Sequence, residues 1–567
     1  MVSGPRRHLN SLLSTLFLFL VGSRLWDLAQ KPYHHDEGIY STLSWRFSRG
    51  LDYRFDPMTH GPFLFTFQGL LFKLLPPTDF TGRLPVAIAG ILLPFAALVL
   101  LRNRASQTML TWFVLCIFSP TLCYFSRFLG MDALLLVQAS AFLAFGLLWW
   151  DTKKDTYLYL AAACLGFLFC TKLNWLFYLF SFGTFLLLSG DYRYVAQALA
   201  SRKKAFFTAV GIVVFVFCLL YSTLFTHLPG IWDGLFGKMI PYWMAQNKMQ
   251  RIAGPFHFYL TLIAIYELPL VLGMILIFKN LLFDARIRKG FVLAGAGMLI
   301  SWLICRAQWG ALEPTFHHYL HMNLPWHPSL LMLEIFLGAA CLRYHLARQE
   351  KLEAFFAYWA FTSLVLYSYA GEKIPWLLPH MVLPAYLYLA TLIKPFSQRW
   401  KYACCAIIVA WQGFNVIRSS FWYPADPRER FVYTHTTQDY KNLIDRIDRQ
   451  REIDPTLTVQ VVGNCDAVWP SAWYMRKYDA WFRPQIAPEE MPNILITNWD
   501  QAEALKAQLM APYTIERIPL RAWWIPDPAQ YGFKNFLNYY FTRHTFNVTG
   551  STDVAALIRQ DTFQRGE

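Results

Sequence analysis

The chain has 567 residues and a formal net charge of +15, yet 56% of its residues are hydrophobic and 15% are charged. Soluble domains carry roughly a quarter charged residues, and the mean hydropathy of +0.30 excludes an ordinary water-soluble globular protein, a disordered chain and a coiled coil. A basic chain raises the question of a nucleic-acid partner.

The positive charge belongs to the apolar part of the chain. Residues 1–420 hold 35 Lys and Arg and 18 Asp and Glu, a net of +17, whereas residues 421–567 hold 16 and 18, a net of −2. Basic residues between apolar stretches are typical of the cytoplasmic loops of membrane proteins. The charge pattern therefore predicts membrane lipids and no nucleic acid as partners, and the change in hydropathy at residue 420 predicts a domain boundary there.

Apolar stretches near the length of a membrane-crossing helix, about thirteen of them, follow one another through residues 1–420. We predict spans at 9–29, 82–101, 109–126, 132–150, 157–171, 174–189, 205–226, 258–279, 291–305, 328–342, 354–370, 378–393 and 402–419. If the N-terminus is inside, every inside loop is rich in Lys and Arg, and the short outside loops hold one apiece. The first stretch lacks a clear cleavage site, which favours an uncleaved anchor. The pattern predicts a multi-pass cytoplasmic-membrane protein with a cytoplasmic N-terminus.

The tail, residues 421–567, has the periodicity of a small α/β domain, and the odd span count places it outside. Predicted strands lie at 456–462, 493–497 and 513–520, and predicted helices at 439–451 and 501–510. Cys465 is the single Cys of the tail, which excludes a disulfide framework there. The predicted fold class is an α-helical polytopic membrane protein with a small C-terminal extracytoplasmic α/β domain.

The first predicted outside loop, residues 30–81, carries adjacent carboxylates at Asp36 and Glu37, flanked by His34 and His35. A carboxylate that ionises just beyond the membrane exit, beside a protein-lined cavity, suits a general base. The alternatives are a solvated acidic turn and a metal site at His34, His35 and Asp36, which adjacent side chains seldom form.

Turn-forming residues follow in the same loop, at Asp56-Pro57 and His60-Gly61-Pro62. These residue types favour tight turns, and apolar residues surround them. The pattern predicts an ordered loop folded back on the membrane surface.

Further polar residues lie at or near span ends on the predicted outside face. They are Arg83, Arg127, Asp132, Glu372, Lys373, Trp376 and His380. Charged residues at such positions often only anchor a span at the interface. Together they would form a rim that holds an anionic lipid headgroup beside a carboxylate base.

Four motifs in this order carry a family resemblance. They are HHDEGIY, DPMTHGP, SRFLGMD and AGEKIPWLLPH. The set resembles the GT-C class of membrane glycosyltransferases, the relatives of protein O-mannosyltransferases and of the aminoarabinose transferase that modifies lipid A. It looks most like the prokaryotic family named flippase-activity-associated protein. The tail segment 469–479 also fits, so the resemblance covers most of the chain.

The resemblance implies transfer of a sugar from a polyprenyl-phosphate donor to an acceptor hydroxyl on a glycan, lipid or protein, with inversion at the anomeric carbon. It implies Asp36 as the base, Glu37 as a supporting carboxylate, and Arg83 and Lys373 as contacts of the donor phosphate. We assign His60 of the first outside loop and the other members of the predicted rim to the same donor site, and these members are Arg127, Asp132, Glu372, Trp376 and His380. We predict no cofactor, and a divalent metal held by His34 and His35 stays an alternative.

A translocator of lipid-linked sugars, or an accessory of one, is the competing hypothesis. Transporters place ionisable residues within spans on broken helices, and Glu267 lies near Pro269 in the eighth predicted span. The other candidate residues lie at span ends and the sequence shows no internal repeat, which favours the transferase.

Overall fold

The computed structural model describes residues 4–51, 53–247, 254–320, 322–393, 399–463, 465–477, 481–486 and 490–562. Every predicted span coincides with a helix or with two consecutive helices. These are Gly4–Leu25, Asp79–Leu98, Ser106–Ile117 with Pro120–Phe125, Asp132–Thr152, Asp155–Phe169, Trp175–Ser189, Lys203–Tyr221, Phe258–Tyr266 with Leu268–Phe283, Ala285–Leu320, His327–Leu346, Lys351–Tyr369, Pro379–Leu392 and Arg399–Ile417. The predicted helical, polytopic class is confirmed.

Within the described residues, six helices are long and apolar enough to cross a membrane, or seven if one bent pair counts as a single span. The bent pair is Phe258–Tyr266 with Leu268–Phe283, whose axes differ by 106°. The other predicted spans are shorter or less apolar helices, such as Trp175–Ser189 with 15 residues. A helix of that length rises only about 22 Å, against about 30 Å of bilayer hydrocarbon. These apolar helices make the chain a membrane protein.

The chain divides into two compact units, and the first comprises Met1–Trp26, Arg54–Thr66 and Leu84–Ser420. Consecutive helices joined by short loops pack side by side in this unit. Asp155–Phe169 packs against Lys203–Tyr221, where a Cβ added at Gly166 would lie 2.8 Å from the Cβ of Val216. Glycine therefore lets these two helices approach closely.

The second unit comprises Asp27–Tyr53, Phe67–Arg83 and Phe421–Glu567. The described residues of its tail form one six-stranded sheet, in the order β1-β5-β6-β4-β2-β3. The strands are β1 (His435–Thr436), β2 (Val459–Val462), β3 (Trp481–Arg483), β4 (Ile494–Asn498), β5 (Tyr513–Trp523) and β6 (Gly550–Arg559). Strand β2 runs parallel to β3 and β4, and the other neighbours are antiparallel.

The predicted α/β character of the tail is confirmed. Strands β2, β4 and β5 lie where the sequence predicts strands, and the helix Gln438–Ile453 matches a predicted helix. The second predicted tail helix is shorter than expected, Ala502–Lys506, and the helix Phe533–Thr542 was not predicted. Strand β6 was also missed, although Val554 to Ile558 are buried in the sheet. Its alanines carry little strand preference, so only pairing with β4 and β5 establishes it.

Candidate functional site

The predicted site residues are distributed over both units, and each unit is described by itself. His34, His35, Asp36, Glu37 and Arg83 belong to the second unit. The first unit holds His60, Arg127, Asp132, Glu372, Lys373, Trp376 and His380.

The adjacent carboxylates begin a helix, His35–Ser48, whose N-cap is His34. The His34 ring accepts the backbone N–H of Asp36 through Nδ1 at 3.1 Å. In return, Oε2 of Glu37 accepts the backbone N–H of His34 at 2.9 Å. This is a reciprocal cap with histidine in the place that serine or threonine usually takes. It orients both carboxylates on the first helical turn, where the helix dipole favours negative charge.

Glu37 forms a fully buried ion pair with Arg83. The Nε and Nη2 atoms of Arg83 each donate to one carboxylate oxygen at 2.8 Å. The remaining N–H groups donate to backbone carbonyls at Leu28, Lys31 and Pro32, at 2.8 to 3.2 Å. All five N–H groups of this guanidinium therefore have protein acceptors. The geometry favours a positioning role for Arg83 and leaves no N–H for the donor-phosphate contact that the resemblance implies.

Asp36 is the solvent-accessible carboxylate of the pair, with 27% of its side chain exposed. Its Oδ1 lies 3.1 Å from Nε2 of His35. Burial lowers the pKa of His35, which favours a neutral ring in contact with this oxygen. Asp36 is thus oriented by the helix start and by one histidine.

The ligand atoms of His34, His35 and Asp36 lie within 4.8 Å of one another, close enough to hold a metal ion. However, Nδ1 of His34 already accepts the Asp36 N–H, and Nε2 lies 3.4 Å from the Thr434 hydroxyl. A metal ion at His34 would therefore have to displace either the N-cap or the Thr434 contact. The observed contacts favour the capping role.

Residues of the tail build the surroundings of this loop. The hydroxyl of Tyr474 accepts the backbone N–H of Tyr33 at 2.7 Å, and Thr436 donates its hydroxyl to the Tyr33 carbonyl at 2.6 Å. The Tyr33 ring stacks on Trp473 with centroids 5.4 Å apart. The tail is therefore part of the acidic site, which the sequence treated as separate from it.

Two buried histidines beside the acidic pair predict a pH dependence of stability. The rings of His34 and His435 lie 4.9 Å apart, and burial lowers the pKa of both well below the usual value. The unfolded chain therefore binds more protons below about pH 6.5. We expect the free energy of unfolding to fall there by up to about 1.4 kcal/mol per pH unit for each histidine.

Unfolding of the purified protein in detergent, followed from pH 7 to pH 5, measures this slope. Asparagine is a good N-cap and does not titrate, so His34→Asn should make the slope shallower by the share of one histidine. An unchanged slope would show that His34 does not titrate with folding.

In the first unit, Asp132 and His380 are brought into direct contact. Nε2 of His380 donates to Oδ1 of Asp132 at 2.8 Å, and the Tyr178 hydroxyl lies 2.6 Å from Nδ1 of the same ring. Lys172 donates to both Asp132 oxygens, at 2.8 and 3.1 Å. Tyr367 stacks on the His380 ring with centroids 5.2 Å apart. This buried network combines two predicted residues with Lys172, whose place between two predicted spans was its only sequence signal.

The two other predicted basic residues cap helix ends. Nη1 of Arg127 donates to the Trp26 carbonyl at 2.7 Å and to two preceding carbonyls at the end of the first apolar helix. Nζ of Lys373 donates to the Ser368 carbonyl at 2.6 Å and to two neighbouring carbonyls. Burial lowers the pKa of Lys373 to about 7. Side-chain N–H groups at such positions satisfy the last carbonyls of a helix, so both sets of contacts favour a structural role.

The predicted loop around His60 is held by backbone hydrogen bonds. Gly61 donates its N–H to the Thr171 carbonyl and Phe63 donates to the Cys170 carbonyl, both at 2.9 Å. A Cβ at Gly61 would lie 2.1 Å from the Cys170 oxygen, so this close approach requires glycine. His60 has φ 64° and ψ −147°, a strained conformation for any residue except glycine.

Trp376 and Glu372 make packing contacts in the first unit. The Trp376 ring stacks on Phe128 with centroids 5.6 Å apart. The backbone carbonyl of Glu372 accepts the Tyr259 hydroxyl at 3.4 Å. Both contacts attach the 371–376 segment to neighbouring helices.

Glu267 lies at the break of the bent helix pair and is fully buried. Its Oε1 accepts the Ser119 hydroxyl at 2.8 Å and the Thr121 N–H at 3.0 Å. Its Oε2 accepts the Tyr386 hydroxyl and, at 3.4 Å, the Gln412 amide. Four donors therefore satisfy this carboxylate, and it connects the break to three other segments.

Two crystal structures of ArnT from Cupriavidus metallidurans are among the solved structures similar to this chain. One is in the apo state, covering 91% of this chain and 97% of that chain. The other is bound to undecaprenyl phosphate, covering 89% and 96%. Both share 14% sequence identity with this chain, with a TM-score of 0.48. No family model matches the sequence, and no curated protein matches it. At this identity and TM-score the likeness carries no assignment of residue roles.

Proposed function

We propose that the protein is a membrane glycosyltransferase that moves a sugar from a polyprenyl-phosphate donor to an acceptor hydroxyl, with inversion, at the outer face of the cytoplasmic membrane. The acceptor is a hydroxyl of a glycan, lipid or protein. The observation that carries the proposal is the difference between the two adjacent carboxylates. Glu37 is buried against Arg83, whereas Asp36 is solvent-accessible at the start of the same helix.

The proposed reaction uses Asp36 as a general base. As the acceptor oxygen attacks the anomeric carbon, its proton passes to the Asp36 carboxylate. The bond from that carbon to the phosphate oxygen breaks, and the phosphate leaves with the electron pair. Attack opposite the leaving group inverts the anomeric centre. Nε2 of His35 lies 3.1 Å from Oδ1 of this carboxylate.

The supporting residues orient the base in this scheme. Arg83 and the His34 N–H bind the Glu37 carboxylate. These hydrogen bonds hold the backbone of the first helical turn, which carries Asp36, in a fixed position. A base displaced by about 1 Å can lose on the order of a hundredfold in rate. Glu37 and Arg83 therefore affect the reaction through the position of Asp36.

The substitution Asp36→Asn tests the proposal. Membranes containing the variant and a labelled polyprenyl-phosphate sugar should show transfer lowered by about 10² to 10⁴-fold, the usual contribution of a general base. Asp439→Asn is the matched control, because Asp439 is an exposed residue of the same unit. Equal transfer by Asp36→Asn and the control would remove Asp36 from the mechanism.

Translocation of lipid-linked sugars is the second candidate, and the bent helix pair at Glu267 is the observation that favours it. Broken helices with buried ionisable residues are common at transporter sites. Reconstituted vesicles separate the two functions. Loss of lipid-linked sugar movement in Glu267→Gln, with normal movement in Asp36→Asn and no transfer in any variant, would replace the transferase by the translocator.

A further inference from the structure

Arg521 occupies an irregular position in the sheet of the second unit. It lies on β5, opposite Thr436 of β1. On the other side, the pairing with β6 passes from Pro519–Asp553 directly to Arg521–Thr552. Strand β5 therefore has one extra residue, Leu520, relative to β6, and this irregularity is a β-bulge. Bulges redirect the side chains next to them and are frequent beside functional sites.

The Arg521 guanidinium has few acceptors for a largely buried charge, with 17% of the side chain exposed. Nη2 donates to the backbone carbonyls of Asp466 at 2.8 Å and Trp469 at 3.2 Å. The Asp466 carboxylate lies 3.9 Å from Nη1, beyond hydrogen-bond distance. Nε is buried and has no hydrogen-bond partner in the part of the chain that the structure describes. Among the described residues the hydrogen bonds of this guanidinium are made by Nη2 alone, so the N–H groups of Nη1 are available to an anionic ligand.

The backbone that Arg521 binds lies against the acidic helix. Trp469 belongs to the helix Val468–Tyr474, which packs on the helix His35–Ser48. Next to Trp469, Pro470 lies so close to Gly38 that a Cβ added at Gly38 would be 3.1 Å from the Pro470 Cα. Gly38 follows the two carboxylates directly in the sequence. Arg521 thus binds the start of the helix Val468–Tyr474, and the next residue of that helix, Pro470, packs against the first turn of the helix that carries Asp36.

Electrostatics and hydrogen bonding agree with this placement. Burial lowers the pKa of Arg521, and the negative charge of Asp36 acts in opposition by raising it. Burial also lowers the pKa of His35, and the positive charge of Arg521 lowers it in addition. Nδ1 of His35 is buried and lacks a hydrogen-bond partner among the described residues. A cation and a ring nitrogen with unused hydrogen-bonding capacity therefore accompany the solvent-accessible carboxylate.

We propose that Arg521 binds a phosphate group of a ligand at the Asp36 site. This inference rests on the proposed function and gives a tail residue the kind of contact that the family resemblance implies for Arg83 and Lys373. Guanidinium groups form strong charge-assisted hydrogen bonds to phosphate oxygens, and the N–H groups of Arg521 Nη1 can supply such bonds. The phosphate belongs either to the polyprenyl donor or to a water-soluble phosphorylated acceptor.

Binding assays on the purified full-length protein in detergent distinguish these sources. Arg521→Gln should weaken binding of undecaprenyl phosphate by about tenfold or more if the donor phosphate is bound. Weaker binding of inorganic phosphate, with unchanged binding of the lipid, would assign a soluble ligand. Arg517→Gln is the matched control, since Arg517 lies on the same strand and pairs with Asp553 at 2.7 Å.

Arg521→Lys keeps the charge and should bind with intermediate affinity, which provides a second variant if Arg521→Gln does not fold. Equal binding of both probes by folded Arg521 variants and by the control would overturn the proposal. Its outcome is separable from that of the proposed function, because Asp36→Asn should lose transfer and still bind phosphate. Binding that depends on Arg521 without any transfer would retain the phosphate site and reject the transferase.

Discussion

The substitution Glu37→Leu is expected to lower the free energy of unfolding by about 3–5 kcal/mol. It would leave the Arg83 guanidinium, which is 0% exposed, without its carboxylate partner in a site that excludes water. A buried charge that loses its partner has a cost of about this size. The substitution also removes the acceptor of the His34 N–H. Equilibrium unfolding in mixed detergent micelles measures the change.

The double variant Glu37→Leu/Arg83→Met completes a double-mutant cycle, which separates the interaction free energy of the ion pair from the contributions of the individual residues. Because no unpaired charge remains, the double variant should be more stable than Glu37→Leu alone, with a coupling of about 0.5–3 kcal/mol. Glu516→Gln is the control: its pair with Arg446 is about 40% exposed, and exposed pairs contribute about 0–1 kcal/mol. A cost for Glu37→Leu as small as that of the control would contradict the assigned role of the buried pair.

The second large effect is expected at Asp132. Asp132→Leu leaves the Lys172 ammonium and the His380 N–H without their shared acceptor, and all three side chains are nearly fully buried. We expect a loss of about 3–5 kcal/mol in the free energy of unfolding. The same unfolding titration measures it. Lys172→Met in the Asp132→Leu background should recover part of the loss, because the buried cation is then removed.

A control for Asp132 is available on an exposed pair. Asp155→Asn weakens the ion pair between Asp155 and Arg202, whose two side chains are 38% and 39% exposed respectively. This substitution should lower the free energy of unfolding by less than about 1 kcal/mol. If Lys172→Met did not improve the stability of Asp132→Leu, the two residues would not act as a pair. The assignment of Asp132 to the donor site stays a prediction, which transfer assays on Asp132→Asn can test.

Arg83 illustrates the limit of the sequence. Its charge near the start of a predicted span is visible in the sequence, and a phosphate contact and a protein contact are equally consistent with that position. The structure shows five N–H groups donating to protein oxygens. Which acceptors surround a guanidinium depends on the path of the preceding loop, and this path is a tertiary property.

Lys172 and Arg521 show a second limit of the sequence, because the structure places both beside predicted site residues without any motif that marks them. Neither belongs to a motif, and Arg521 lies far from Asp36 in the sequence. Strand pairing, a bulge and the packing of the helix Val468–Tyr474 on the helix His35–Ser48 relate it to the acidic pair. No residue spacing expresses these relations, because they arise when separate elements pack together.

The sequence alone determined the membrane character, the positions of the apolar helices and the α/β nature of the tail. These follow from hydropathy, charge and periodicity, which act over 5 to 20 neighbouring residues. The tertiary structure decided which of the two carboxylates is accessible. Asp36 and Glu37 are adjacent and chemically alike, but a buried carboxylate needs a cation and donors, and Arg83 supplies them to Glu37. Asp36 stays accessible beside His35, and the tail brings Arg521 toward it.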